Sequence, residues 1–182
     1  TQGAGFRSVG SATTGLYRQA VTDFSKRWIE PLQGTDTNRK VAEGTVQCIT
    51  NNGRTLFVGG SFDRSSNEVA STNYLNNIAM ISDYADTAAV WQDVDGGCES
   101  STIRQLIVFN NQLYAAGSFE NCGRQSHGGV KRNIARINVA VGANDHWESL
   151  ATGVQGNVYA LVEWNQQLVV AGTFSSVDNS GY

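Results

Sequence analysis

The chain offers few residues of the types that carry catalysis or bind metals. Its 182 residues include two histidines and three cysteines. His127 lies in the polar segment CGRQSHGG and His146 directly precedes a tryptophan, so both are interpreted as solvated loop residues. Metal sites draw mainly on His, Cys, Asp and Glu at characteristic spacings, and no such spacing is visible. The sequence therefore predicts no catalytic residue, no metal ligand and no cofactor site.

One acidic segment resembles the beginning of a calcium-binding loop. DVDGG, at 93–97, lacks the regularly spaced oxygen ligands that continue such loops. No carboxylate pair for acid–base chemistry and no G-x-S-x-G nucleophile motif can be singled out. A solvated edge or turn cluster is the simpler interpretation of the aspartates, which are Asp83, Asp86, Asp93 and Asp95.

The basic residues give no support for nucleic-acid binding. The net charge is −3, from 13 basic and 16 acidic residues, whereas nucleic-acid sites need a clustered basic face. No apolar run approaches the length of a membrane span, so none is predicted in this segment. The basic residues are interpreted as a solvated rim, with contact to an anionic glycan or a protein partner as the alternative, and include Arg64, Arg124, Lys131, Arg132 and Arg136.

Two of the three cysteines are placed to form a disulfide. The predicted hairpin at 103–119 has a two-residue turn that pairs Phe109 with Gln112. The residue numbers of any two facing residues in this hairpin therefore add up to 221. Cys98 and Cys122 total 220, so they are expected almost opposite each other, within reach of a disulfide. Two unrelated thiols are the alternative. Cys48 is expected to be a free thiol inside a strand. A disulfide favours an extracellular or cell-surface location.

An internal repeat positions these residues. Each copy is an apolar strand, a polar turn and a second apolar strand ending in Gly-Ser/Thr-Phe. Turns are predicted near Asn52-Gly53, Asn110-Asn111 and Asn165-Gln166, because Asn and Gly adopt positive φ readily. The first turn falls one residue early in the alignment. The segments are VQCITNNGRTLFVGGSF (46–62), IRQLIVFNNQLYAAGSF (103–119) and VYALVEWNQQLVVAGTF (158–174).

Further landmarks recur with the same period. The phenylalanine after the glycine recurs at intervals of 56, 57 and 55 residues. A short apolar strand and then a tryptophan follow, in NNIAMIS (76–82) and NIARINV (133–139), with GLYRQAV (15–21) as a degenerate partner. Four strands in a period of about 50 residues are typical of a β-propeller blade.

The sequence therefore predicts an all-β fold, a β-propeller-type array of about three four-stranded blades. The array covers 1–182, with repeats at about 7–62, 63–119 and 120–174 and partial blade strands at both ends. Three blades do not close a ring, so we expect a larger propeller or assembly. Gly60, Gly117 and Gly172 are expected to allow close backbone approach. Blade-to-blade packing is predicted for Phe6, Phe62, Phe119, Phe174, Trp28, Trp91 and Trp147.

The order of these motifs resembles kelch-type propeller repeats. It is most similar to the variant in fungal cell-surface proteins that act as cortical polarity markers. The residues that carry the resemblance are LFVGGSF, NNIAMIS and WQDV in one repeat, and LYAAGSF, NIARINV and WESL in the next. The resemblance implies a propeller fold and a role at the cell surface.

Three functions fit these observations. The first is a non-catalytic extracellular or cell-surface structural or adhesion module, which binds further propeller blades from the same or another chain. Polar loops at 63–76 and 120–132 would serve such protein–protein contacts. The second is a carbohydrate-binding propeller, for which Tyr74 is the one aromatic candidate in those two loops. The third is a fragment of a galactose-oxidase-like enzyme, with the active site supplied by other parts.

Overall fold

The computed structural model describes residues 44–62, 75–82, 91–99, 102–124, 130–140, 145–150 and 153–177. Within these segments all regular secondary structure is β, and every strand pair is antiparallel. The all-β prediction is therefore confirmed. Several residues singled out above lie outside the described residues: Phe6, Trp28, Arg64, Tyr74, Asp83, Asp86 and His127.

The described strands form two four-stranded sheets and one hairpin. Sheet 1 contains, in spatial order, β1 (Gly44–Asn52), β2 (Thr55–Phe62), β3 (Ile78–Ile81) and β4 (Gln92–Asp93). Sheet 2 repeats this order with β5 (Thr102–Phe109), β6 (Gln112–Ser118), β7 (Ile134–Asn138) and β8 (Glu148–Ser149). Hairpin 3 contains β9 (Val154–Trp164) and β10 (Gln167–Val177).

The sheets are offset from the sequence repeats. Sheet 1 takes β1 and β2 from the repeat that ends at Phe62, and takes β3 and β4 from the repeat that follows. Sheet 2 crosses the boundary at Phe119 in the same way. Each sheet therefore joins two consecutive sequence repeats, and the chain cannot be divided at a repeat boundary without splitting a sheet.

The turns of the three hairpins align more closely than the sequence suggested. In the first hairpin Asn52 pairs with Thr55, so the turn residues are Gly53 and Arg54. The prediction of a turn centred on Asn52-Gly53 is thus wrong by one residue, because the strand continues through Asn52. Of the two turn residues, Gly53 and Arg54, Gly53 alone has a positive φ, at 59°. Both turn residues have positive φ in the other hairpins, at Asn110-Asn111 and Asn165-Gln166.

A β-bulge recurs in the first strand of each hairpin. The register shifts by one residue at Gln47, Arg104 and Tyr159. A bulge leaves one residue unpaired and re-aims its side chain. The guanidinium of Arg104 lies 5.0 Å from the ring centre of Tyr159, which is cation–π distance. The bulges therefore link the first strands of sheet 2 and hairpin 3.

Close backbone contact explains the glycines near these bulges. A backbone carbonyl of the first strand occupies the place that a Cβ would need on the second strand, as was predicted for these positions. A larger residue would push the two strands apart. The pairs are Gly60 with Thr45, Gly117 with Thr102 and Gly172 with Asn157.

The three units stack face to face, with apolar side chains between them. Phe57 and Met80 of sheet 1 share one cluster with Leu113 and Ile137 of sheet 2. The other face of sheet 2 shares a second cluster with hairpin 3, which includes Tyr114, Ile134, Val158 and Leu161. The backbones come closest along the first strands, because β5 lies against β1 and β2, and β9 lies against β5 and β6. Burial of these faces supplies the main stabilisation.

The recurring aromatic residues lie on corresponding sides of their units. Phe119 and Trp147 are buried in the cluster between sheets 1 and 2. Phe174 packs against the cluster between sheet 2 and hairpin 3. Phe62 and Trp91 are buried on the face of sheet 1 that points away from sheet 2. The phenylalanine of each unit therefore packs on the side opposite to the unit that follows it in the stack.

Candidate interaction surface

An asparagine holds the outer part of sheet 1 together. Asn77 Oδ1 accepts the N–H of Phe62 at 2.7 Å, and its Nδ2 donates to the carbonyl of Cys98 at 2.7 Å. The Asn77 carbonyl accepts the N–H of Gly60 at 3.0 Å. Its φ of 71° lies in the left-handed region, which Asn adopts more readily than most residues. We call this set of contacts the asparagine brace, since it fixes β2 to β3 and to the start of the next unit.

The same brace recurs in sheet 2. Asn133 Oδ1 accepts the N–H of Phe119 at 2.9 Å, and Nδ2 donates to the carbonyl of Val154 at 2.8 Å. The Asn133 carbonyl accepts the N–H of Gly117 at 3.1 Å, and its φ is 63°. Sequence reasoning used Asn-Ile-Ala only as a landmark and missed this role. The available signal was the recurrence, 56 residues apart, of an Asn directly before an apolar strand.

Hairpin 3 has no described counterpart of β3 or β7. Among the described strands, β10 pairs with β9 alone. Gly172 and Phe174 hold the alignment positions of Gly117 and Phe119, and Gly172 pairs across the hairpin with Val158 as Gly117 does with Ile103. The backbone groups that an asparagine brace would bind therefore lie at the outer edge of β10.

One face of hairpin 3 is exposed and apolar. Val162 is 54% exposed, Trp164 is 65% exposed and Val169 is 40% exposed. Val162 pairs with Val169, and Trp164 lies two residues further along the same strand, so the three share one face. The opposite face, which carries Leu161, packs on sheet 2. We call Val162, Trp164, Val169 and the outer edge of β10 the hairpin surface.

Along the second strand, the corresponding face is covered in both complete sheets, whereas at the position of Trp164 Phe109 is half-buried and Asn52 is exposed. Phe57 and Tyr114 hold the position of Val169, and they are 0% and 7% exposed. Ala116 holds the position of Ala171; Ala116 is fully buried, whereas Ala171 is exposed. An apolar face that is buried twice and exposed once within one chain is the strongest candidate for an interaction surface.

A buried charged cluster lies at the border of sheets 1 and 2. Asp95 is buried, accepts the N–H of Trp147 at 3.2 Å and lies 3.6 Å from Nδ1 of His146. Lys131 is also buried; burial lowers its pKa, and the charge of Asp95 opposes that change. The indole N–H of Trp147 donates to the carbonyl of Val94 at 2.8 Å. This cluster ties the turn at 93–97 to the last strands of sheet 2.

The expectation that Asp95 and Lys131 are solvated is therefore wrong. The turn that carries Asp95 is wedged between the two sheets, and nothing in the local sequence distinguishes it from a surface turn. His146 lies in a loop, as expected, and its side chain is partly exposed, but its Nδ1 is buried beside Asp95. Among the described residues, no group of three or more His, Cys, Asp or Glu could hold a metal ion.

The other charged residues form surface pairs. Asp93 accepts the N–H of Gly96 at 2.7 Å, which closes the turn, and pairs with the exposed Arg124 at 3.1 Å. Arg136 pairs with Glu148 at 3.0 Å, and a hydrogen bond with Tyr114 raises the pKa of Arg136. Arg132 is exposed, so it and Arg124 fit the predicted rim. Exposed pairs of this kind contribute about 0–1 kcal/mol each.

The disulfide expected between Cys98 and Cys122 is present, with the Cα atoms 4.0 Å apart. The recurrent bulge explains why the two residues meet. Facing pairs such as Phe109 and Gln112 have numbers that total 221 on the turn side of Arg104. Beyond the bulge the total falls to 220, which is also the total for the two cysteines. The bulge therefore brings the cysteines directly opposite each other.

Cys48 is the free cysteine of the described residues. Its sulfur lies near the place that a Cβ on Gly59 would take, and it packs against the cluster between sheets 1 and 2. Burial raises the pKa of this thiol to about 12, although hydrogen bonds with the backbone of Leu106 and Gly59 act in the opposite direction. A thiol held in the protonated form is a poor nucleophile, so Cys48 fits a packing role.

No family model, curated protein or solved structure matches this chain. The described segments contain no helix with the length and apolar character needed to cross a membrane. The internal repeats are therefore the basis for assigning a role to the hairpin surface.

Proposed function

We propose that the chain is a non-catalytic structural or adhesion module that acts through contacts with further repeats of its own kind. The observation that carries this proposal is the hairpin surface. Val169 is 40% exposed at a position where Phe57 and Tyr114 are buried by the next unit. Among the described residues, this position is thus occupied by a neighbouring repeat in two of three units, which makes a repeat of the same type the natural occupant of the third.

The packing supports a propeller-type arrangement of these repeats. Four-stranded antiparallel meanders stack face to face and come closest along their first strands. Sheets that are closest along one edge diverge along the other, as blades arranged around an axis must. The resemblance to kelch-type repeats favours the same arrangement, and it adds a role at the cell surface.

An extracellular or cell-surface location is part of the proposal. The Cys98–Cys122 disulfide is compatible with an oxidising compartment, where such bonds persist. It closes the base of the β5–β6 hairpin.

The energetic case for an occupant rests on the apolar side chains of the hairpin surface. Full burial of a large apolar side chain contributes about 1.5–3 kcal/mol relative to leaving it exposed. Val162, Trp164 and Val169 together can therefore contribute several kcal/mol when a sheet covers them. Trp is also among the residues that most often dominate protein–protein interfaces.

The proposal is tested by adding a further repeat to the chain directly after hairpin 3. In an extended chain, a copy of residues 120–174 follows Phe174, with alanine at the copied Cys122 and phenylalanine at the copied Trp164. We expect hydroxyl-radical oxidation of Trp164, measured by mass spectrometry, to fall markedly towards that of a half-buried side chain, because Phe109 at the equivalent position of sheet 2 is half-buried. Unchanged oxidation of Trp164 in a folded extended chain would refute the proposal.

A matched variant controls for indirect effects of the added mass. In the extended chain, V162D combined with V169D introduces charge on the hairpin surface and leaves the added repeat intact. Oxidation of Trp164 is expected to return to the level of the unextended chain. If Trp164 remains protected, the copied repeat covers it by some other route and the hairpin surface is not the binding face.

A further inference from the structure

We propose that the outer edge of β10 binds an antiparallel strand that reads Asn-Ile-Ala, and that its asparagine determines specificity. The occupant is the third strand of a further repeat, so this inference rests on the proposed function and names the contact that the repeat makes. It is drawn from the two asparagine braces and from the register of β10.

The register of the incoming strand follows from sheet 2. There Ala116 faces Ile134 and Ala115 faces Ala135. Ala171 holds the position of Ala116, so an incoming isoleucine would lie opposite Ala171. That isoleucine would then share the exposed face of hairpin 3, just as the buried Ile134 shares a cluster with Tyr114 and Ala116. The strand would therefore cover the hairpin surface as well as pair with its edge.

The asparagine side chain accepts a hydrogen bond from β10 that a strand without it cannot accept. In both braces its backbone carbonyl accepts the glycine N–H, and its Oδ1 accepts the N–H of the phenylalanine two residues later. At the edge of β10 these donors are Gly172 and Phe174. An alanine in place of the asparagine keeps the first bond and loses the second. It also disfavours the positive φ that both braces adopt.

Burial along β10 agrees with a missing neighbour. Ala171 is exposed, whereas Gly59 and Ala116 at the same position are buried. Phe174 is half-buried, whereas Phe62 and Phe119 are 3% and 4% exposed. Ala171 is thus uncovered on the outer face, and Phe174, which packs on the other face, is uncovered at the edge, as expected when one incoming strand completes both.

A second folded copy of this chain does not supply the strand through its described residues. Its β3 and β7 are already paired on both sides within sheets 1 and 2. The occupant must come from a repeat whose third strand pairs with the hairpin of the preceding sequence repeat. The third strands of sheets 1 and 2, β3 and β7, pair in this way. Peptides that carry the motif can stand in for such a strand.

The first experiment uses the peptide VKRNIARINVA, which has the sequence of residues 130–140, with the isotopically labelled 182-residue chain. We expect saturable binding, with amide shifts and exchange protection at Gly172 and Phe174. A peptide with N133A should bind about tenfold more weakly or worse, because one hydrogen bond and the backbone preference are both lost. Equal affinity of the two peptides would overturn the role of the asparagine.

The second experiment removes the dependence on peptide affinity. In the extended chain described above, the amides of Gly172 and Phe174 should be strongly protected from exchange. N133A in the copy should increase exchange at Phe174 about tenfold or more, whereas N138A in the copy should not. If both amides exchange freely although Trp164 is buried, strand addition fails while the proposed function stands. If Trp164 also stays exposed, both fail.

Pairing between two copies is the competing outcome. An antiparallel pair of β10 edges would give a dimer in which Gly172 and Phe174 are protected without any peptide. Sedimentation and exchange measured on the same unextended sample detect that arrangement. Such a dimer would overturn the proposal, because the edge would then recognise itself and not a strand with the Asn-Ile-Ala sequence.

Discussion

Sheet 2 and hairpin 3 contain closely similar hairpins in different surroundings. Residues 103–119 and 158–174 align without a gap, and they share the bulge, the turn with two positive φ values and the glycine under the bulge. Tyr114 is nevertheless 7% exposed and Val169 is 40% exposed. Local sequence therefore determines the hairpin, whereas the next repeat determines whether its outer face is buried.

The largest expected contrast is between two tryptophans. Trp147 is buried and donates to the Val94 carbonyl, so W147A should cost about 3–5 kcal/mol of unfolding free energy. Trp164 is 65% exposed, so W164A should cost less than about 0.5 kcal/mol. Denaturant unfolding of both variants measures this. Similar losses for the two would contradict the exposure of Trp164, since hairpin 3 would then already be covered.

The disulfide should give the next largest effect. Cys98 and Cys122 are 24 residues apart, and closing a loop of that size contributes about 3 kcal/mol. The double variant C98S/C122S should lose about this amount in chemical unfolding, and a reductant should have little effect on it. Wild-type protein in reductant is the matched sample. If neither the double variant nor the reduced wild-type protein loses unfolding free energy, the disulfide forms without constraining the unfolded chain.

The asparagine brace should have an intermediate effect. N133A leaves the N–H of Phe119 and the carbonyl of Val154 without this partner, and removes a residue suited to a φ of 63°. We expect a loss of about 2–3 kcal/mol in denaturant unfolding. The control N138A removes one exposed hydrogen bond on the same strand and should cost less than about 1 kcal/mol. Equal losses of unfolding free energy for N133A and N138A would contradict a structural role for the asparagine brace.

The smallest expected effect concerns Cys48 at alkaline pH. The pKa of its thiol is about 12 in the folded chain, against 9.0 as the ordinary value. The unfolded chain therefore loses this proton first, so the contribution is complete below about pH 9 and is lost as pH rises towards 12. The slope cannot exceed about 1.4 kcal/mol per pH unit. C48A, which has the residue found at Ala160 in hairpin 3, should show a shallower alkaline decline; an unchanged decline would contradict burial of the thiol.

Local patterns made much of this fold predictable from sequence. The strands, two of the three turns and the disulfide follow from alternating apolar residues, Asn-rich turns and counting along a hairpin. The bulge was not predicted, although it accounts for the one-residue discrepancy between Cys98 and Cys122. A bulge depends on how two strands meet, which a single strand does not reveal.

Contacts between units were less predictable. Asp95 lies in a turn that reads as solvated, and residues of the next sheet that are distant in sequence, Trp147 and His146, contact it. The role of Asn133 also depends on three segments that are distant in sequence. The candidate surface was missed for the same reason, because exposure of Val162, Trp164 and Val169 is visible only after the covered faces of sheets 1 and 2 are known.

Amide hydrogen exchange on the unextended chain compares the outer edge of β10 with the paired edge of β6. The N–H groups of Gly117 and Phe119 are bound by the asparagine brace, whereas those of Gly172 and Phe174 lie at the outer edge of β10. We predict that the second pair exchanges about 100-fold faster than the first or more. Equal protection of the two pairs would show that hairpin 3 already has its outer neighbour, and would contradict the account.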